Sequence, residues 1–320
     1  MDTTAIPNVP NHKHLGLYLS GDGLWHTHIK EVCTKAWQRI NLLRRLKYSI
    51  DRKSLEKMFI TFIRPLLEYG DIVWDNCTAQ QKKTIESIQT EAARICTGAT
   101  KLCSLDKLYK EIRWESLAER RKKHKLIAMY KIINDISPEY LKSLLPDQTL
   151  NQSNYNLRTR ENFITVPAKT QLYYNSFFPV TIREWNNLPS ALRNAPTVGQ
   201  FKSKLNNSVG KPPPYYYLGE RKSQIQHTRL RLGCSSLKLD LHRKNIVDCP
   251  NCICGEIEST RHYLLECINY ARERNTYLTN IPCELTTKNL LFGLENDTEH
   301  LNDEIFTKVQ QFITATKRFV

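Results

Sequence analysis

Apolar residues recur at steps of three and four along most of the chain, which is the spacing that aligns them on one face of an α-helix. The first such stretch runs from about Trp25 to Lys47 and ends in basic residues, which suit the negative end of the helix dipole. Its apolar positions are Ile29, Val32, Cys33, Ala36, Trp37, Ile40 and Leu43. We expect these side chains to form part of a hydrophobic core.

Three more helices follow on the same pattern. Asp51 is placed to cap the second helix, and Pro65 is expected to kink it or shift its frame, because proline lacks a backbone N–H. The third helix is predicted over about 79–96 and the fourth over about 114–134. The pattern therefore predicts a mainly α fold.

A strand is predicted only near the start of the chain. Residues 14–19 alternate as a strand does, and the Ser-Gly-Asp-Gly sequence at 20–23 is typical of a turn. A single strand needs partners to pair with, and no other convincing strand lies nearby. We therefore expect its partners in a sheet that lies upstream of this chain.

Prolines break the helical pattern over 146–221. Short helices are predicted near 177–192 and over 197–205, where Thr197 can serve as the N-cap. The Gly-Lys-Pro-Pro-Pro-Tyr-Tyr-Tyr segment at 210–217 is expected to be a stiff, extended linker. The predicted division is a helical domain with an N-terminal strand over 1–145, an irregular connector with short helices over 146–221, and a small α module over 222–320.

Five soft metal ligands lie close together in the C-terminal module. They are Cys249, Cys252, Cys254, His262 and Cys267, within the run CPNCICGEIESTRHYLLEC. Thiolates and one imidazole are the ligands that Zn²⁺ prefers in closed structural sites, so we predict a structural zinc ion. Cys254, His262 and Cys267 are expected to be ligands, and an amphipathic helix from about Ser259 is expected to carry the last two.

The fourth ligand is open on sequence grounds. It is Cys252, which is near in sequence, or Cys249, which gives the roomier C-x4-C chelate with Cys254. A third arrangement uses the Cys249 and Cys252 pair and leaves Cys254 free. We take Cys252 as the fourth ligand and Cys249 as its alternate.

The chain is strongly basic. It carries 47 Lys and Arg against 32 Asp and Glu in 320 residues, a net charge of +15, and its pI is about 9.3. Binding to a polyanion releases condensed counterions, so RNA or DNA is the expected partner. The residues predicted to contact phosphate, which would position the chain without reading sequence, are Arg120, Arg121, Lys122, Lys123 and Lys125 in the fourth helix, and Arg229 and Arg231 ahead of the metal cluster.

Composition bears on the compartment. A hydrophobic content of 40% and a charged content of 25% are typical of a globular protein. Residues 1–13 are polar and unlike a secretory signal, and no apolar run approaches the roughly 20 residues that a bilayer span needs. Free cysteines suit a reducing compartment, so we predict a nuclear or cytoplasmic protein that is not secreted and has no membrane partner.

A set of short motifs is spread over nearly the whole chain. The first half contains His14-Leu15-Gly16-Leu17, Leu24-Trp25, His28-Ile29, Lys35-Ala36, Leu43-Arg44-Arg45, Arg64-Pro65-Leu66-Leu67-Glu68-Tyr69-Gly70, Val73-Trp74, Glu86-Ser87-Ile88-Gln89 and Ala92-Ala93-Arg94. The second half contains Asn156-Leu157-Arg158-Thr159-Arg160, Val166-Pro167, Tyr174-Asn175-Ser176-Phe177, Trp185-Asn186-Asn187-Leu188-Pro189 and Phe201-Lys202. Together they resemble the region beyond the catalytic palm of non-LTR retrotransposon reverse transcriptases, of the jockey-like or CR1-like kind. Cys254-x7-His262-x4-Cys267 is similar to the end of that family's Cys/His motif, whereas the spacing of the first cysteine departs from the usual three residues.

That resemblance implies a thumb-like helical domain, a connector and a zinc-knuckle-like module that binds template RNA or target DNA. Members of the family copy their own RNA into a nicked chromosomal site, with Mg²⁺ ions held by aspartates of the palm. The aromatic-x-Asp-Asp motif is missing from this chain, since no adjacent Asp-Asp pair occurs in the 320 residues. We therefore expect a nucleic-acid-binding C-terminal fragment of an RNA-directed DNA polymerase, without palm or endonuclease, that is not an enzyme by itself.

Two alternatives stay open at this point. The chain completes a separately encoded polymerase palm, in which case co-expression with that palm restores synthesis. Or it is a host-adopted module in which zinc supports contacts with proteins, in which case its binding is insensitive to salt.

Overall fold

The structure, a computed structural model, is mainly helical, as the apolar pattern predicts. It describes residues 9–148, 162–206, 210–281, 283–295 and 300–319. The predicted motif at 156–160 lies outside the described residues. The chain divides into two compact units. Unit 1 comprises Met1–Ala36, Pro65–Ser87 and Glu115–Val209, and unit 2 comprises Trp37–Arg64, Ile88–Trp114 and Gly210–Val320.

These units do not coincide with the predicted sequential division at 146 and 222. Segments 37–64 and 88–114 belong to the same unit as the C-terminal part of the chain. The reason is that the buried side chains of these segments contact residues of the C-terminal part, as the ion pair between Glu111 and Arg231 shows.

The α-helices are numbered in the order in which they occur along the chain. The first seven are α1 (His26–Leu46), α2 (Arg52–Met58), α3 (Arg64–Glu68), α4 (Asp71–Trp74), α5 (Ala79–Thr97), α6 (Leu105–Ile112) and α7 (Leu117–Ile133). The next five are α8 (Glu139–Lys142), α9 (Gln171–Tyr174), α10 (Phe177–Asn186), α11 (Ser190–Arg193) and α12 (Val198–Leu205). The last five are α13 (Arg221–Leu232), α14 (Lys238–His242), α15 (Ala271–Tyr277), α16 (Thr287–Phe292) and α17 (Leu301–Ala315).

The N-terminal strand has its partner within the chain. Strands β1 (Asn11–His14) and β2 (Leu17–Ser20) form an antiparallel hairpin in which His14 lies opposite Leu17. Leu15 and Gly16 form the two-residue turn, with φ of 45° and 85°, the left-handed geometry that tight hairpins require. The prediction of one continuous strand over 14–19 without a nearby partner is therefore wrong. The prediction failed because Leu15, the first residue of the turn, is not a residue type that signals a turn.

Pro65 shifts the helical frame, as predicted. Between α2 and α3 the chain makes a π-helical turn, Phe59–Ile63, directly ahead of this proline. A proline inside a helix removes one i→i−4 hydrogen bond, and a wider turn accommodates the missing donor. The predicted cap is also present, since the Asp51 side chain accepts a hydrogen bond of 2.9 Å from the Ser54 N–H.

The predicted fourth helix is confirmed as α7, and a helix that was not predicted, α6, precedes it. Helix α7 begins at Leu117 because Ser116 caps it, accepting a hydrogen bond from the Glu119 N–H at 3.1 Å. Helix α6 ends before it at Arg113, which adopts a left-handed conformation with φ of 55°. The sequence prediction missed α6 because its eight residues give few repeats of the helical period.

Each unit has its own apolar core. In unit 1, α7, α10 and α12 meet where the Tyr130 ring stacks on Phe201 at 4.5 Å, with Trp185 5.8 Å from Phe201. The predicted Thr197 cap of α12 is present, with the Gln200 N–H as donor. In unit 2, the fully buried Phe312 and Leu264 belong to a core that includes α13, α16 and α17.

The Pro-Tyr segment is not an extended linker. Pro214–Tyr217 forms a 3₁₀ turn whose tyrosines are half-buried against the rest of unit 2. The rings of Tyr215 and Tyr216 lie 4.7 and 5.6 Å from Phe306, and the Tyr217 hydroxyl donates to Glu56 at 2.8 Å. The prediction of a stiff spacer is wrong because these three rings have apolar and carboxylate partners available.

We expect Gly98→Ala to destabilise unit 2. Gly98 follows α5 with φ of 77°, and a Cβ there would collide with Ile225 of α13. The backbone strain and the overlap together should lower the free energy of unfolding by about 2 kcal/mol or more, measured by urea denaturation. The control is Gly199→Ala in α12, whose Cβ has room and which should be neutral or slightly stabilising. Equal stability of the two variants would contradict this account of Gly98.

Candidate metal centre

Four of the five predicted ligands come together in unit 2. One ligand atom from each of Cys252, Cys254, His262 and Cys267 lies within 4.8 Å of all the others. The Cys254 Sγ is 3.2 Å from the His262 Nε2, and the Cys267 Sγ is 3.8 Å from Cys252 and 3.9 Å from Cys254. Such a cluster can hold a metal ion.

The spacing of the donors fits a tetrahedral ion. Zinc–sulfur bonds of about 2.3 Å at tetrahedral angles place sulfur atoms about 3.8 Å apart. The two sulfur–sulfur distances that involve Cys267 agree with this value. Three thiols and one imidazole are also a donor set that zinc accepts in structural sites, so the residues fit zinc by number, type and spacing.

A tight turn brings the first two ligands together. The Cys252 N–H donates to the Glu256 carbonyl at 2.7 Å, and the Cys252 carbonyl accepts from Gly255 at 3.0 Å. Gly255 has φ of 97°, a conformation that favours glycine. The Glu258 N–H then closes the loop on the Pro250 carbonyl at 2.9 Å. The turn therefore leaves both thiols on the same side of the loop.

A π-helical turn aligns the other two ligands. Residues five apart in an α-helix are separated by about 140° around its axis, which would turn His262 and Cys267 away from each other. Residues His262–Glu266 instead form a π turn, in which the Cys267 N–H donates to the His262 carbonyl at 2.7 Å. The helical start near Ser259 is confirmed, since its hydroxyl accepts from the His262 N–H at 3.0 Å. The α-helix expected to reach Cys267 is replaced by this wider turn.

Cys249 lies outside the cluster. Its side chain is exposed, and its Sγ accepts a hydrogen bond of 3.5 Å from the Asn251 N–H. Within the described residues the compact group contains Cys252 and not Cys249. The group of side chains that could hold an ion therefore includes both Cys252 and Cys254 and leaves Cys249 outside.

The thiols of the cluster differ in acidity. The backbone N–H of Glu256 donates to the Cys254 sulfur and lowers the pKa of that thiol. Burial raises the pKa of the Cys267 thiol to about 11. A metal ion binds the thiolate form and so displaces protons, which makes metal binding weaker as the pH falls.

The segment that carries the ligands, residues 249–267, is called the metal loop here, and side chains of unit 2 fix it to the core. The Glu258 carboxylate, between the ligand pairs, accepts from Arg318 at 2.7 and 2.8 Å and from the Lys238 N–H at 2.7 Å. On the other side, Arg274 donates to the Cys267 carbonyl at 2.8 Å. Tyr263 and Leu264, inside the π turn, are fully buried. If the cluster holds an ion, its loss is therefore expected to loosen more than the loop.

The basic run of α7 is mostly ion-paired within unit 1. Arg121 and Lys125 are buried against the Asp75 carboxylate, at 2.8 and 2.9 Å. Arg120 pairs with Glu68, and Lys123 pairs with Glu115. Of these predicted phosphate contacts, Lys122 is the exposed one. Contact between phosphate and this helix remains a prediction, and Lys122 is the residue best placed to make it.

The two arginines of α13 point into unit 2. Arg231 donates to both oxygens of the buried Glu111 carboxylate, at 2.7 and 2.9 Å, and to the Leu291 carbonyl. Arg229 donates from Nε to the Gly98 carbonyl at 2.9 Å. The Arg231 guanidinium is therefore held inside the fold, where a phosphate group cannot reach it. This corrects the expectation that it contacts nucleic acid.

Other exposed side chains lie close to the ligands in sequence. Arg243 and Lys244 are exposed just after α14 and precede the cluster. Ile253, between two ligands, is 93% exposed, and Ile268, next to Cys267, is 76% exposed. The adjacent basic pair was visible in the sequence, but only the structure shows that both residues are exposed.

Comparison of the chain with protein-family models, with curated proteins and with solved structures found no match. In the part of the chain that the structure describes, no helix combines the length and the apolar character needed to cross a membrane.

Proposed function

We propose that the chain binds RNA or DNA through a zinc-stapled module in unit 2. The observation that supports this most is the cluster of Cys252, Cys254, His262 and Cys267 on a chain with a net charge of +15. A structural ion can hold a short loop rigid without a large core. The loop then presents its exposed side chains in a fixed arrangement.

We also propose a family origin for the chain. The motifs quoted above resemble the C-terminal region of non-LTR retrotransposon reverse transcriptases, and the metal cluster coincides with the Cys/His motif of that resemblance. We propose that the chain is such a region, which binds the RNA template or the DNA target and leaves polymerisation to a palm outside it. The proposal assigns no catalytic residue to the chain.

Arg243 and Lys244 are the proposed phosphate contacts of the metal module. Both are exposed, and they lie six and five positions before Cys249 at the start of the metal loop. Cations that neutralise phosphates contribute an affinity that falls with salt and does not depend strongly on sequence. Lys122 is the corresponding candidate in unit 1.

Lys244→Glu is expected to weaken binding to nucleic acid of any sequence. Loss of one phosphate contact should reduce the slope of log affinity against log salt concentration by about 1. The measurement is fluorescence anisotropy with labelled single-stranded and duplex oligonucleotides over a series of salt concentrations. The matched control is Lys53→Glu, which makes the same charge change at an exposed site in the first turn of α2.

Two outcomes would count against the proposal. One is the absence of binding to any RNA or DNA at low salt, and the other is an equal loss of affinity in both variants, which would indicate a response to net charge alone.

The alternative role in protein contacts is favoured by the exposed Ile253 and Ile268 beside the ligands. Binding to a protein that is insensitive to salt would support that role.

A further inference from the structure

An open groove runs along α7 in unit 1. It encloses about 790 Å³, which is within the range of roughly 300–1,000 Å³ that ligand sites occupy. Its floor is one face of α7, formed by His124, Ile127, Ala128, Lys131 and Ile132. These residues follow the helical period over about two turns, a length of about 12 Å.

The walls of the groove are mostly apolar. They include Val73 of α4, Leu141 of α8, Tyr173 of α9, and Phe177 and Phe178 at the start of α10. Val73 and Tyr173 are 49% and 47% exposed, so these surfaces remain in contact with water. A mostly apolar groove bordered by polar residues is typical of a recognition site.

The charge that the groove offers to a ligand is positive. Asp71 is the only acid among the described residues that line it, and its carboxylate lies 2.6 Å from the His124 Nδ1. Lys131 and Lys202 also line the groove, and neither forms an ion pair within the described part of the chain. An occupant with carboxylates at its edges would complement these two ammonium groups.

We propose that this groove binds an amphipathic helix of a partner protein, with apolar side chains in the groove and acidic side chains beside Lys131 and Lys202. Helices that dock in grooves use apolar residues at i, i+3 or i+4, and i+7, which span about two turns. The floor of α7 has that length. Nucleic acid is disfavoured because the walls are apolar, and a second copy is disfavoured because each chain carries a charge of +15.

Two labelled peptides of about four turns test the proposal. Both carry leucines at the docking spacing, and they differ only in having glutamates or lysines beside them. The acidic peptide should bind the wild-type protein at least about tenfold more tightly than the basic one, measured by fluorescence anisotropy. The double variant Lys131→Glu/Lys202→Glu should reverse that preference.

Two further variants locate the site. Ala128→Trp fills the groove from its floor, and it should abolish binding of both peptides while circular dichroism shows an unchanged fold. Lys122→Glu changes a charge on α7 that does not line the groove, and it should leave the preference for the acidic peptide in place.

Three results would overturn the proposal. The first is that the acidic peptide does not bind, and the second is that Ala128→Trp leaves its binding unchanged. The third is a concentration-dependent dimer in analytical ultracentrifugation that Ala128→Trp abolishes, since the occupant would then be a second copy of the chain.

Discussion

Replacing Cys267 with serine is expected to unfold the C-terminal part of unit 2 locally. Cys267 supplies one of the four donors, and it is fully buried beside the core residues Tyr263 and Leu264. A serine hydroxyl is a poor zinc ligand, and the apparent binding energy of structural zinc, about 10–16 kcal/mol, is largely folding energy in small modules. The variant should therefore behave as the wild type does after its ion has been removed.

Limited proteolysis measures this effect. The wild type with zinc should resist cleavage between residues 245 and 280, and both a strong chelator and Cys267→Ser should abolish that resistance. Cys249→Ser is the matched control, because Cys249 is exposed and lies outside the cluster. It should retain both the protection and its sensitivity to the chelator.

The pattern of cleavage distinguishes the alternatives. Protection that survives in Cys267→Ser, with and without chelator, would show that no ion holds the loop. Loss of protection in Cys249→Ser would instead show that the exposed cysteine is a ligand after all.

Replacing Glu111 with glutamine is expected to be the most damaging single change away from the metal cluster. Glu111 is 5% exposed and accepts from Arg52 at 2.8 Å and from Arg231 at 2.7 Å, while Arg52 also pairs with Glu56. The variant leaves two buried guanidinium groups with one carboxylate. Breaking a buried pair costs about 3–5 kcal/mol, because the remaining charge stays desolvated.

The comparison is made by urea denaturation at pH 7 with zinc present. The control is Glu266→Gln, since the Arg261–Glu266 pair is 74% and 47% exposed at its two side chains and such surface pairs contribute about 1 kcal/mol or less. A loss below about 1 kcal/mol in Glu111→Gln would show that the ion pairs are not the main support of unit 2.

The wild type and Glu111→Gln are also expected to differ in how their stability depends on pH. Burial opposes the charged form of Glu111, but Arg231 and Arg52 outweigh it and lower the pKa of this carboxyl from 4.5 to about 2. A carboxyl group whose pKa is lower in the folded than in the unfolded protein stabilises the fold at pH values above its unfolded pKa. This contribution is lost as the pH falls through the folded pKa. The difference in stability between wild type and Glu111→Gln should therefore be constant above about pH 5 and shrink between about pH 4.5 and pH 2.

Several features that depend on neighbouring residues could be predicted from the sequence. The long helices follow from the spacing of apolar residues, and the caps at Asp51 and Thr197 follow from their side chains. The metal ligands are also close in sequence, so their type and spacing indicated a zinc site. The spacing did not predict the π turn between His262 and Cys267, because that turn depends on where Tyr263 and Leu264 are buried.

The features that depend on distant residues could not be predicted. Arg231 looks like a phosphate contact in the sequence, but its partner Glu111 lies 120 positions earlier in the chain. The tyrosines at 215–217 look like part of a spacer until Phe306 and Glu56 are placed against them. Likewise, Lys125 is buried with its ammonium group paired to Asp75, which lies 50 residues away in the chain.

X-ray absorption at the zinc edge, on protein prepared without chelators, tests the central claim most directly. We expect one zinc ion per chain, with three sulfur neighbours at about 2.3 Å and one nitrogen neighbour at about 2.0 Å. The absence of zinc, or a shell made only of nitrogen and oxygen, would contradict this expectation. A shell of four sulfur atoms would contradict the assignment of His262 as a ligand and would bring Cys249 into the site.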